Sequence, residues 1–398
     1  MSTPHAVRHI NETRALEAIR LKGSMSRADL ARKLGITRST ASSTVASLMA
    51  AGMLIDETNG EKDKKTTVRT GRPSVNVKLN PNFASYIGIE IGVGRGSIAI
   101  VNFSGEVETI KEYKFNEQGC APDEVAQLVA NEVNHLLSNS EVITKPATGK
   151  ISIAALKDNS GFLLRSPFLN WYNIPFLDIV RSALPEIKIL GIENDADAFA
   201  VAEMHKSPHV NYDDAVFLLL DTGIGGCSVV NGSIVRGHNG LAGEIGHIIV
   251  GEKGISTAGD SVINGSLESF IGRRALFKRV KEFGGSATSV SELLLDADLD
   301  GKATDRALNE WARNFGRGLA SIVGILAPEK IVISGPLAPI FGRVEHTIKQ
   351  ALKMHLVKGS HVPEFITSNL GCTAPAIGAA LIVQQEQFHY DDEILFGR

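Results

Sequence analysis

Three places in the 398-residue sequence combine residue types and spacing that suit polar ligand chemistry. Asn194-Asp195 follows an apolar run, Ile187–Glu193, and opens the helical stretch ADAFAVAEM. An acid at the carboxyl end of an α/β strand sits where such folds bind ligands, and an ionised Asp can accept a bond from a hydroxyl or act as a base on it. The plain alternative is a helix N-cap, a position both residues favour. LAGEIGH puts Glu244 and His247 three residues apart, hence on one face of a helical turn. Such a pair can grip neighbouring hydroxyls, with Glu as double acceptor and His as donor or acceptor. On a surface turn it would be inert. Glu268, in NGSLESF, is a further acid behind a glycine turn; its plain reading is an exposed carboxylate in a helix's first turn.

The elements that must position these residues form a weak internal repeat. YIGIEIGVGRGSIAIVNFSGEV from Tyr86 and AVFLLLDTGIGGCSVVNGSIV from Ala215 each run from an apolar strand to an acid, Glu90 or Asp221. A glycine-rich turn, a second strand, a polar turn and a third strand follow in both. Duplicated hairpins trailed by helices predict two related α/β lobes with a cleft between them.

The first 80 residues read differently. Asn11–Lys22 has helical apolar spacing, and Ser26 caps a short helix carrying Leu30, Ala31 and Leu34 on one face. Gly35-Ile36 makes a turn. Thr37 then caps a third helix, ended by Gly52, with Ala41, Val45, Leu48 and Met49 as its inner stripe. This is a helix-turn-helix, and its last helix offers Thr37, Arg38, Ser39, Ser42 and Ser43 outward, a set suited to base edges and phosphates. Strands at Met53-Leu54-Ile55 and Val75–Leu79 flank a charged stretch that predicts a wing, with Lys62, Lys64, Lys65, Arg69 and Arg72 toward DNA.

Charge supports that division. Residues 1–75 carry 13 Lys/Arg against 7 Asp/Glu, whereas the whole chain is −3. A basic head on an acidic body predicts that only the head meets a polyanion. With 43% hydrophobic and 21% charged residues the composition is that of a globular protein. No apolar run reaches the ~20 residues of a membrane helix, and the first residues lack a signal-peptide core. Cys120, Cys227 and Cys372 are isolated, which argues against a disulfide framework and predicts a cytoplasmic protein without membrane insertion.

Taken in order, SRADLARKLGITRSTAS, GRPSVNVKLNP, SPFLNWYNIP, GIENDADAFAVAE, DTGIGGCSVVNGSIVRGHNGLAGEIGH, GSLES and APEKIVISG resemble the ROK family of bacterial repressors and sugar kinases. The resemblance spans nearly the whole chain and, with its winged head, is to the repressor branch. It implies an α/β protein: a winged helix-turn-helix (1–80), then a two-lobed body with an actin-like ATPase fold. The first lobe would cover 81–193, completed by a C-terminal helix at about 375–398, and the second 194–374. It implies that Asn194, Asp195, Glu244, His247 and Glu268 contact a sugar. The position of Asp195 is the catalytic base in kinase members. The partners implied are double-stranded operator DNA and a sugar or sugar phosphate, with a homodimer, or a tetramer built from it, reading two half-sites. Asn314–Leu326, rich in Gly and Ala, reads as core or as dimer contact.

Two departures from the family pattern stand out. Kinase members carry Asp-x-Gly-Gly-Thr after the first strand, but here the run is Glu90-Ile91-Gly92-Val93-Gly94. Val93 is poorly suited to a positive φ, should the loop need one there. The second loop, Asp221–Gly226, is intact and reads either as a phosphate holder or as a plain hairpin turn. Many members also bind zinc through the His of the Glu-x-Gly-His motif and three downstream cysteines. From Ile248 to Glu268 there is no cysteine, and Ser266 stands at the last thiolate position. One His cannot complete a tetrahedral structural site, so no metal and no cofactor is expected.

Overall fold

A computed structural model describes residues 4–57, 75–116, 120–140, 142–158, 160–252, 254, 262–299 and 301–388. The head comprises α1 (Pro4–Lys22), β1 (Ser24–Ser26), α2 (Arg27–Leu34), α3 (Arg38–Ala50), β2 (Leu54–Asp56) and β3 (Asn76–Leu79). Ser26 caps α2 by accepting from the Asp29 amide, and Gly35 closes it at φ +67°. Thr37 caps α3 by accepting from the Thr40 amide. Ala41, Thr44, Val45 and Leu48 face inward, whereas Met49 is only half-buried. α1 starts two turns before the expected Asn11; its added turns carry an exposed Val7 and so no apolar stripe. β1 was not expected. It pairs antiparallel with β3, making a three-stranded sheet ordered β1-β3-β2. The expected basic wing residues, Lys62, Lys64, Lys65, Arg69 and Arg72, lie outside the described residues.

The body begins with β4 (Ser85–Ile91), β5 (Arg95–Asn102), β6 (Val107–Lys114), α4 (Pro122–Asn139) and β7 (Thr148–Ile153). A small sheet of β8 (Leu156–Lys157), β9 (Leu163–Ser166) and β10 (Trp171–Ile174) precedes α5 (Phe176–Ala183), β11 (Lys188–Asn194) and α6 (Asp195–Lys206). The five-stranded sheet of this lobe is ordered β11-β7-β4-β5-β6. The second lobe repeats the plan with β12 (Ala215–Leu220), β13 (Ile224–Val230) and β14 (Ser233–Ile234). It continues through α7 (Leu267–Ile271), α8 (Arg273–Glu282), α9 (Val290–Asp298), α10 (Lys302–Leu326), β15 (Lys330–Ser334), α11 (Ala338–His355) and β16 (Glu364–Thr367). Its sheet is ordered β14-β13-β12-β15-β16. β4 and β12 are buried along their whole length, as expected for central strands covered on both faces.

α12 (Ala374–Phe388) returns to the first lobe and packs on β4. The contact is set by small residues. A Cβ at Gly88 of β4 would fall 1.8 Å from the Ala376 carbonyl oxygen, and one at Gly378 of α12 would fall 1.7 Å from that of Ala198 in α6. Only glycine permits backbones to approach so closely. At these two points the stack β4–α12–α6 leaves no room for a side chain between its layers. One apolar cluster runs from Ile19 of α1 through Phe103 and Phe388 to Phe199 of α6, so head and body share a core. The part of α10 from Asn314 onward is largely core: Phe315, Leu319, Ile322 and Val323 are buried, while Ile325 is exposed. No helix among the described residues is long and apolar enough to cross a membrane.

Candidate functional site

The strands that end in acids open onto a cleft of about 330 Å³, within the size range of small-molecule sites. All five expected ligand positions, Asn194, Asp195, Glu244, His247 and Glu268, line it. β11 delivers Asn194, whose side-chain oxygen caps α6 by accepting from the Ala196 and Asp197 amides. Both readings of the Asn-Asp pair therefore meet here: Asn194 is the cap, and Asp195 stands in the cleft as the first helical residue. Burial, and then the neighbouring Asp221 and Glu244, push the Asp195 carboxyl up to about 6 although the Ala196 amide opposes this.

Glu244 and His247 bracket a single 3₁₀ turn, Ile245–His247, in which residues three apart eclipse each other. His247 Nε2 lies 3.4 Å from Glu244 Oε2. Gly243 stands at φ +93°, and a Cβ there would strike the Gly226 carbonyl oxygen at 2.4 Å. The loop carrying Glu244 thus rests directly on the second glycine turn. Glu268 departs from its plain reading. It is 5% exposed, and its Oε2 accepts from the Ile224 amide at 2.9 Å. Burial raises its carboxyl above the usual range. Its Oε1 and the Nδ1 of His247 are buried without a hydrogen-bond partner among the described residues. Unpaired buried polar atoms are costly, and these two belong to residues that line one cleft.

Sequence reasoning missed several lining residues. Arg95 of β5 donates to Asp221 Oδ2 at 2.9 Å, tying the two repeats together across the cleft, and Arg273 Nε approaches Asp221 Oδ1 at 3.7 Å. Arg165 enters from β9 and Phe168 from the loop between β9 and β10. Glu90 is 4% exposed and held by Ser97 Oγ at 2.8 Å; burial pushes its carboxyl up to about 7, with Arg95 and Ser97 opposing. Arg236 bridges Glu193 at 3.1 Å and Asp197 at 3.2 Å, so it ties the loop leading to Glu244 onto the start of α6. Glu90 and Asp221 were marked in the sequence as strand-end acids, though not as ligand positions, and Arg95 stood beside the altered first loop. The others depend on contacts between distant segments. The first loop also differs in detail: its positive φ, +69°, falls at Gly94 rather than at Val93, so the valine is not strained there.

In the head, Thr37, Arg38, Ser39, Ser42 and Ser43 are all exposed along the first turns of α3. Thr37 Oγ1 also meets Ser39 Oγ at 2.9 Å, and Ser43 Oγ donates to the Thr40 carbonyl at 2.9 Å. Three hydroxyls are thereby held locally, whereas Arg38 and Ser42 project from the same surface. A convex helix presenting one Arg and short hydroxyls matches major-groove readout.

Comparison with known proteins agrees with both halves. The ROK family profile matches residues 86–386, and that of the MarR family residues 9–64. The chain is 24% identical over 382 residues to the xylose repressor of Bacillus subtilis, covering 95% of each chain. It is 27% identical over 324 residues to the glucokinase of Halalkalibacterium halodurans, covering 76% of this chain and 96% of that one. Among solved structures, a ROK family transcriptional regulator, a homologue of the E. coli MLC protein, superimposes with a TM-score of 0.76 at 21% identity, covering 96% and 97% of the two chains. The winged head, the paired lobes and the match along the body together place this chain in the ROK family.

Proposed function

We propose that this protein is a sugar-responsive DNA-binding repressor that does not phosphorylate its ligand. The observation carrying this reading is the joining of two sites by one element. α6 begins in the cleft at Asp195 and carries His205 in its last turn, and it belongs to the apolar cluster that includes Leu16 and Ile19 of the head. Sugar hydroxyls would donate to Asp195 and Glu244, with Glu268 and His247 as further partners lining the cleft. Ligand that binds one lobe arrangement better than another shifts the population toward it, and the head moves with it. Relatives named xylose repressors, which align along head and body alike, make D-xylose the first sugar to try. Two heads in a homodimer would read two half-sites about one helical turn, or a multiple, apart.

Against kinase chemistry stands the Arg95–Asp221 pair, which holds the first and second glycine turns together. Phosphoryl transfer rests on positioning and charge, and a pair so placed competes with the phosphates. Zinc does not fit this cleft either. Ser266, at the expected thiolate position, is fully buried and caps α7 by accepting from the Ser269 amide, while His247 Nε2 faces Glu244. An equimolar zinc content in the purified protein would overturn that statement.

The test is a mobility-shift assay on the DNA upstream of the protein's own gene, with and without D-xylose, D-glucose or N-acetyl-D-glucosamine. Retardation that one sugar changes at least tenfold, and that Glu244→Ala makes unresponsive, is expected. ADP release with those sugars, lost in Asp195→Asn, would instead establish a kinase.

A further inference from the structure

We propose that the cleft is built for an unphosphorylated sugar and discriminates against phosphate esters, an inference that rests on the sugar-sensing reading above. A bound phosphate needs amide donors or guanidinium groups that are not already engaged. At each of the three places able to offer amides, one or more of the amides is engaged from within. In the first glycine turn, the Gly92 amide donates to the Arg95 carbonyl at 2.9 Å. In the second, the Asp221 amide donates to the Gly223 carbonyl at 3.0 Å, and the Ile224 amide to Glu268 Oε2 at 2.9 Å. At the start of α6, the Ala196 amide is bonded to Asn194 Oδ1 and Asp195 Oδ1, both at 2.9 Å.

The glycines of the second turn are also explained without a phosphate. A Cβ at Gly223 would meet Phe168 at 2.6 Å and Glu268 Oε2 at 2.9 Å, so its small size accommodates a ring and a carboxylate. Charge points the same way. Glu90, Asp195, Asp221, Glu244 and Glu268 line the cleft against Arg95 and Arg165. Arg95 is committed to Asp221, and Arg165 lies over the Tyr172 ring at 5.9 Å. A dianion finds no uncommitted positive charge among these acids to hold it, whereas a neutral polyol finds in them the hydrogen-bond partners its hydroxyls require.

Calorimetric titration of the full chain decides the matter, using D-xylose, D-glucose and N-acetyl-D-glucosamine, each against its own terminal phosphate ester, with inorganic phosphate alongside. At least one parent sugar should bind, with its ester at least tenfold weaker and inorganic phosphate silent. An ester that binds as tightly as its parent overturns the inference while leaving the sugar-sensing reading intact. Silence from every sugar and ester overturns both. Asp221→Asn, which removes one carboxylate and releases Arg95, should narrow the gap between parent and ester at least threefold. A gap that this variant leaves unmoved overturns the argument that the internal ion pair sets the discrimination.

Discussion

Glu90 near the end of β4 and Asp195 just beyond β11 are separated by β7, and burial drives both carboxyls upward, to about 7 and about 6. A carboxyl whose folded value exceeds its unfolded one binds more protons in the folded state between the two values. Stability therefore falls as pH rises through that window, from 4.5 to about 7 for Glu90 and from 3.8 to about 6 for Asp195. Glu90→Gln keeps a partner for Ser97 and removes the upper part of the slope. Its melting temperature should accordingly gain on the parent chain between pH 5 and 7.5, as thermal denaturation across that range will reveal. Parallel curves for the two proteins would contradict a buried, neutral Glu90. At this scale the sequence was informative about types and poor about environments. Asp195, Glu244, His247 and Glu268 were legible because strand ends and glycine turns frame them. The burial of Glu268 was not, since its amide partner at Ile224 lies 44 positions away.

Among elements, the head shows which signals survive without tertiary context. Ser26, Thr37 and Gly35 punctuate α2 and α3 through bonds within a few residues, so their spacing alone defined them. β1 spans three residues and exists only because β3 pairs with it from 50 residues further on. The small sheet β8–β10 escaped notice for a similar reason, being short and lacking apolar alternation. α3 carries the prediction proper to this scale. Arg38→Ala should weaken operator binding by about 1–3 kcal/mol, the worth of a good base contact, and leave sugar affinity unchanged. Fluorescence anisotropy with labelled operator measures the first quantity and calorimetry the second. Undiminished DNA affinity would mean that another surface does the reading.

At the scale of the whole molecule, the internal repeat was legible as two copies of one strand plan, and the lobes follow it. The stack of β4, α12 and α6 was not, because Gly88 and Gly378 acquire meaning only when facing backbones are known. That stack governs how the ends of α6 can move. Its twelve residues span ~18 Å at the usual rise per residue. At the far end, His205 Nε2 lies 3.0 Å from the Gly105 carbonyl oxygen, and burial, followed by the charge of Arg20 in α1, lowers the ring's proton affinity. His205→Ala should leave sugar affinity within about twofold yet shrink the sugar's effect on operator binding severalfold. Equal responses in mobility-shift titrations would show that the message travels by another route. The geometry is that of a lever pinned at Ala198, nearer its cleft end, by a glycine bearing. The longer arm, from Ala198 to Lys206, is ~12 Å, so a tilt of ~5° displaces its tip by ~1 Å, and a small purchase at Asp195 would be enough to reset the stance of the head.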